Sequence, residues 1–257
     1  MQGQYADERS ARLDLARTAR EIWQRGLGAA GDGNLSVRVS PSRVLATPGS
    51  CHKGRLEGRD MVAVDMEGRG SGPGRPSSEL QLHLEAYRRR PEIGAVIHAH
   101  PPMALALNIA GGRLSDVIVS EVIFAFGQVA TAPYTTPTTA DVPNTLGPYM
   151  GCYDAIVMER HGSVTLGATL EQAFIRLDAL EHAARIATYA RLLGGGQVLP
   201  EGEIERLYQV ACGSEQPPWR QASSGCPPLE PSDETNADWT EDRLVAAVLA
   251  RLQEVGR

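Results

Sequence analysis

The sequence is almost without lysine: Lys53 is the single one, and every other basic side chain that carries a fixed charge is an arginine. An enzyme that forms an imine with a carbonyl substrate needs a lysine amine. Only Lys53 could serve, and it lies in the Gly-rich polar turn CHKGRLEGRD, with no apolar sequence neighbours to lower its pKa. Imine chemistry is therefore disfavoured. Positive charge is short overall, with 25 Lys and Arg against 31 Asp and Glu, a net charge of -6. A broad nucleic-acid-binding face needs clustered cations, so no nucleic-acid partner is expected. No window approaches the roughly 18–20 apolar residues that cross a bilayer. The N-terminal stretch MQGQYADERSARLDLARTAR lacks the apolar core of a secretory signal. The expectation is a cytoplasmic chain with no membrane partner. Cys51, Cys152, Cys212 and Cys226 are widely and irregularly spaced, and none forms a C-x-x-C pair. They read as free thiols, not as a disulfide framework or a thiolate metal site. There is no Gly-rich loop ending in Lys-Ser/Thr, so nucleotide hydrolysis is not indicated.

What is present suffices for one large domain: 257 residues, of which 42% are apolar. Apolar residues at helical spacing (Leu13, Ala16, Ala19, Ile22, Trp23, Leu27) predict a helix over 6–28, ended by the glycine-rich run GLGAAGDGN. LSVRVS, RVLATP, MVAVDMEG, EIGAVIHAH, VATAPYTTP and DAIVMERHG read as strands. SELQLHLEAYRRR reads as a helix, and a long one runs from Leu170 to Leu193 and stops at Gly194. Several strand pairs are too close in sequence for helical crossovers, so the sheet of this α/β domain should be mainly antiparallel. The domain covers 1–212. Residues 213–238, rich in Pro, Ser and Gly, form a connector, and 239–257 an amphipathic helix.

His98 and His100 lie two apart on a predicted strand, so both imidazoles point to one face. Two such histidines can share an ion at about 2.0–2.1 Å each. His161, at the end of DAIVMERH and before a glycine, is the natural third ligand. Three histidines leave the fourth position of a zinc ion open, the arrangement of a catalytic site. On spacing alone the pair also fits two unrelated histidines, and His161 a capping or core residue. Glu79 follows a Gly/Pro/Ser loop at a helix start, where it could exchange protons beside a metal or merely favour the helix dipole. His83 lies one helical turn further on and reads first as structural, while His52 and His182 read as solvent-facing or packed.

Three turns of small residues precede the histidine strand: GDGNLS (31–36), TPGS (47–50) and GRPSSE (74–79). Each could present backbone N–H groups and hydroxyls to an anion such as a phosphate monoester, provided the fold brings them together.

Taken in order, GNLSVR (33–38), ATPGS (46–50), PSSEL-x-x-H (76–83), AVIHAHPP (95–102) and ERHG (159–162) resemble the class II aldolase/adducin family, over about residues 10–210. The resemblance implies a largely antiparallel sheet layered between helices and a homotetramer with active sites at subunit interfaces. It implies zinc on His98, His100 and His161, with Glu79 as the catalytic carboxylate. Gly33, Asn34, Gly49, Ser50, Ser77 and Ser78 match the turns that bind the phosphate of a small sugar substrate. The activity it implies is reversible cleavage of a ketose 1-phosphate to dihydroxyacetone phosphate and an aldehyde. Alternatives on the same scaffold are dehydration of a methylthioribulose phosphate and an adducin-like binding domain without catalysis. Two departures stand out. The second turn reads TPGS where the family commonly has T-P-T/S-G. The stretch SDVIVSEVIFAFGQ lacks the tyrosine that the aldolases place after the metal strand.

Overall fold

The first helix, α1 (Glu8–Gln24), is fixed at its start by Asp7, whose side chain accepts from the backbone N–H of Ser10. Its buried stripe of Ala11, Leu15, Ala19 and Ile22 follows the predicted periodicity. The computed structural model describes residues 5–71, 74–114, 119–195, 197–212 and 225–229. The helix predicted over 239–257 and most of the connector lie outside them.

Eight strands form one sheet: β1 (Asn34–Ser40), β2 (Arg43–Ala46), β3 (Val62–Val64), β4 (Gly70–Ser71), β5 (Ala95–Ala99), β6 (Val129–Ala132), β7 (Ala155–Met158) and β8 (Gly162–Gly167). Their order is β4-β3-β2-β1-β5-β8-β7-β6. Every neighbouring pair is antiparallel except β6 and β7, which run parallel. The helices are α2 (Leu80–Arg89), α3 (Pro102–Ile109), α4 (Glu121–Phe126), α5 (Asp141–Met150), α6 (Leu170–Leu192) and α7 (Glu201–Cys212). α2 and α5 pack on one face of the sheet, where Leu82, Leu84 and Leu146 meet Val96, Ile156 and Val164. α1 and α6 cover the other face, where Leu15 and Leu177 meet Leu35, Ile97 and Ala99. The result is a three-layer α/β/α domain with a mixed, mainly antiparallel sheet.

β5 sits in the middle of this sheet and is buried along its whole length. A strand covered on both faces reads as a continuous apolar run, which is why AVIHA departs from alternation. Strand β8 was not legible as a separate element, although SVTLG alternates polar and apolar residues as a strand does. Nor were α3, α4, α5 and α7. Pro143 and Pro148 inside α5 argue locally against a helix, and packing against α2 and the sheet overrides them.

Two expectations are corrected. The cysteines are not all free: Cys152 and Cys226 form a disulfide, while Cys51 is a free thiol. Pairing across 74 residues leaves no local signal in the sequence. The bridge holds residues 225–229 against the chain's own body, where Tyr153 donates to the Pro227 carbonyl and Leu229 packs on the α2/α5 core. Lys53, read from its polar turn, is nearly fully buried, with 3% of its surface exposed. No described helix is long and apolar enough to cross a membrane.

Ile97 is fully buried in the α1/α6 core, one residue before His98. Ile97→Ala is expected to cost about 2–5 kcal/mol in urea unfolding. A loss below about 1 kcal/mol would show that this layer does not anchor the strand.

Candidate active site

The antiparallel register of β1, β5 and β8 sets Asn34, His98 and Val164 side by side. Asn34, Ser36, His98 and His100 share the sheet face toward α2, because Leu35, Val37, Ile97 and Ala99 fill the opposite face. His100 follows the last residue of β5. Its backbone N–H bonds Leu27 O at 3.1 Å, and Glu181 caps the start of α3 through the N–H groups of Met103 and Ala104. His161 occupies the turn between β7 and β8. Three contacts hold that turn: Arg160 N–H to the Asn108 side chain, Arg113 to Glu159, and Tyr134 N–H to Glu159.

The three imidazoles close on one point. Ring centroids are 4.9, 4.9 and 5.4 Å apart, and the rings meet edge to face. One nitrogen from each lies within 4.8 Å of the others, which makes the triad a candidate metal site among the described residues. His98 Nδ1 faces the Ser163 carbonyl at 2.9 Å. A carbonyl only accepts, so Nδ1 donates to it and Nε2 points to the centre of the triad. There it faces His100 Nε2 at 3.1 Å, a pair that one shared proton or one cation would bridge. Burial, followed by the charge of His98, pushes the His100 imidazole down to about 4. It is then neutral at pH 7, as a ligand must be.

Glu79 stands at the N-cap position of α2, and its side chain, which makes no capping bond, reaches into the same point. Its Oε2 lies 3.3 Å from His98 Nε2, and its Oε1 lies 3.2 Å from His161 Nε2. Burial pushes the carboxyl up. Hydrogen bonding and charge from His161 and His98 outweigh burial and hold it below the usual carboxylate range.

The three small-residue turns converge here. Gly31, Gly33, Asn34, Gly49, Ser50, Ser77 and Ser78 line a cavity of about 830 Å³ together with Glu79, His100 and His161. The second and third turns are tied by a β-bridge between Pro48 and Pro76 and by Gly49 N–H to Arg75 O at 3.0 Å. Gly33 has φ +71, and a Cβ there would lie 2.5 Å from the His98 carbonyl. Ser50 and Ser78 are exposed, while Asn34 is buried. Asn34 donates to Ser77 Oγ at 3.1 Å and to Glu79 Oε2 at 3.0 Å, contacts that its place in a turn did not announce. Lys53 also lines the cavity, with its ammonium on the carbonyls of Gly31 and Cys51. His52 caps the short turn after it, and His182 is exposed, away from the triad.

A Cβ on Gly162 would lie 2.6 Å from Ala99 O, 2.8 Å from His100 Cδ2 and 2.9 Å from His98 Cε1. Gly162→Ala should therefore spread the imidazoles and weaken divalent-metal binding at least about 10-fold, with the circular dichroism spectrum kept. Unchanged affinity by competition with a chelator would show that this turn does not set the histidine spacing.

Residues 13–188 match the Class II Aldolase and Adducin N-terminal domain. The chain is 30% identical over 207 residues to the 3-oxo-tetronate 4-phosphate decarboxylase of Escherichia coli K12, covering 78% of this chain and 96% of that one. It is 35% identical over 189 residues to the methylthioribulose-1-phosphate dehydratase of Acidiphilium cryptum, covering 65% and 88%. Its structure matches that of an L-fuculose 1-phosphate aldolase with a TM-score of 0.71 at 27% identity, covering 77% and 94%. The chain belongs to the class II aldolase and adducin N-terminal domain family.

Proposed function

We propose that this chain cleaves a ketose 1-phosphate reversibly to dihydroxyacetone phosphate and an aldehyde, through an enediolate. The observation that carries the reading is the Glu79 carboxylate, held ionised between His98 and His161 at the end of a cavity lined by three small-residue turns. A zinc ion on His98, His100 and His161 would supply Lewis-acid stabilisation of the negative charge that develops at the substrate carbonyl.

The protein's own groups divide the rest of the work. Backbone N–H groups of the turns at Gly33, Ser50 (next to Gly49) and Ser78 and the hydroxyls of Ser50, Ser77 and Ser78 would hold the phosphate. That remote binding energy fixes the reacting carbons beside Glu79. The buried Lys53 ammonium adds positive charge beneath the turns. As the C3–C4 bond breaks, its electron pair passes to the C2 carbonyl, the C4 hydroxyl gives its proton to water and C4 leaves as the aldehyde. Glu79, after taking up one proton from water, hands it to C3, giving dihydroxyacetone phosphate. In the condensation direction it removes that proton. The family resemblance implies a zinc-bearing homotetramer, and the proposal takes that assembly for this chain, with the cytoplasm as its site of action.

A second reading is favoured by one observation, the absence of a tyrosine from 115–128. An aldol cleavage needs a group to take the proton from the C4 hydroxyl. A 3-oxo acid phosphate loses carbon dioxide with no such proton to remove, and it leaves the same enediolate for Glu79 to protonate. Dehydration of a methylthioribulose phosphate would yield no dihydroxyacetone phosphate.

A screen of ketose 1-phosphates with a coupled assay for dihydroxyacetone phosphate tests the proposal. One aldehyde per dihydroxyacetone phosphate is the expected result. Carbon dioxide in place of aldehyde, from a 3-oxo-tetronate 4-phosphate, would move the assignment to the second reading. No dihydroxyacetone phosphate from either substrate class would sink both. Glu79→Gln is expected to lower kcat about 10²–10⁴-fold while metal content stays at wild type. A purified protein with less than about 0.2 metal per chain, and no activation by added zinc, would favour the binding domain.

A further inference from the structure

From Asn34 on the cavity wall, a line of polar groups that the proposed chemistry does not use runs inward behind Glu79. Asn34, His83, Ser36 and Tyr87 are 3%, 1%, 0% and 2% exposed. They connect in series: Tyr87 Oη to Ser36 Oγ at 2.8 Å, Ser36 Oγ to His83 Nδ1 at 2.7 Å, His83 Nε2 to Asn34 Oδ1, and Asn34 Nδ2 to Glu79 Oε2 at 3.0 Å. A hydrophobic filling of this space would cost nothing in unsatisfied polar groups, so five linked polar side chains need a reason.

The direction of every bond follows from the contacts of Asn34. Its Nδ2 lies 3.0 Å from Glu79 Oε2 and 3.1 Å from Ser77 Oγ, so the NH₂ donates to both. Asn34 Oδ1 must then face His83 and accept from Nε2–H. Burial, followed by the charge of His98, pushes the His83 imidazole down to about 3, so it is neutral and Nδ1 is a bare acceptor. Ser36 donates to it and accepts from Tyr87. The chain therefore has a single polarity, Tyr87 to Ser36 to His83 to Asn34 to Glu79. It is not a proton wire, because a carboxamide does not pass a proton on under these conditions. What it does is fix which face of the Asn34 amide meets Glu79.

We propose that His83 is a positioning residue: by locking the Asn34 amide with its nitrogen toward Glu79, it aims the carboxylate that exchanges the substrate proton. Both Asn34 amide hydrogens are then committed to protein. The first turn offers a phosphate its backbone N–H groups, and the Asn34 side chain serves Glu79. With His83 unable to donate, Asn34 Oδ1 loses its partner, and the amide is held only through its Nδ2 contacts to Glu79 and Ser77. The inference rests on the reading of Glu79 given above.

The test uses His83→Phe and His83→Gln in the metal-loaded protein. The first readout needs no turnover: the solvent exchange of the Asn34 side-chain amide protons, followed by NMR. In the wild type they should be strongly protected. His83→Phe should speed their exchange at least about 10-fold, whereas His83→Gln, which keeps a donor, should stay closer to wild type. The second readout is kinetic. His83→Phe should lower kcat about 10–100-fold, as a slightly misplaced catalytic group does. KM, the affinity for inorganic phosphate and the metal content should stay within about 3-fold of wild type, and His83→Gln should recover part of the loss. Should His83→Phe fail to fold, Ser36→Ala replaces it. That variant strips the His83 ring of its anchor and should speed amide exchange in the same way. Unchanged amide exchange in the folded variants overturns the inference, as does a loss confined to KM or phosphate affinity. A wild-type protein inactive in every substrate screen, yet with the protected amide released in His83→Phe, would leave the lock standing and discard the reaction.

Discussion

The crowding of three imidazoles and a carboxylate around one point is the constraint on which the architecture depends. Left to themselves, groups of this kind would move apart into water. They stay together because each is fixed from behind: His98 by the Ser163 carbonyl, His100 by the Leu27 carbonyl on its backbone, His161 by the anchored β7–β8 turn, and Glu79 by Asn34. The centre of the sheet supplies the rigidity. β5 is buried on both faces, and its register with β1 and β8 brings residues distant in sequence to the same height. A cation at the centre would draw on all three imidazoles and so couple the stability of this region to metal binding.

Much of this arrangement could be read from the chain alone, because it is written in local patterns. The H-x-H spacing predicts two imidazoles on one strand face, and they share one. The three turns of small residues were legible as anion cradles through composition, and they line one cavity. The antiparallel sheet followed from the closeness of its strands. What escaped depends on partners far apart in sequence. Strand β8 alternates as a strand should, but it is short and joins directly to the His161 turn. α5 carries two prolines that its packing tolerates. Cys152 finds Cys226 across the length of α6 and α7. Lys53 sits in a turn of polar letters and is nonetheless buried, since the turn folds back beneath the 31–34 loop.

His83 shows the difference most clearly. Its distance of one helical turn from Glu79 suggested a shared helix face and nothing more. In the fold its ring reaches from α2 to β1, where one nitrogen meets Ser36 and the other Asn34. The same position filled by an apolar side chain would pack equally well and would leave Asn34 without direction. Polar residues in the middle of an apolar sheet face, such as Ser36, Asn34 and His98, are tolerable only because all of them find partners.

The central claim is that the metal-loaded site makes and protonates an enediolate at the carbon beside Glu79, whatever group leaves from the other side. Exchange of the C3 protons of dihydroxyacetone phosphate with deuterium oxide, followed by proton NMR with no aldehyde present, tests it most directly. The account predicts that one of the two C3 protons exchanges, that a chelator stops the exchange and that Glu79→Gln abolishes it. No exchange by the fully metal-loaded wild-type protein would contradict it.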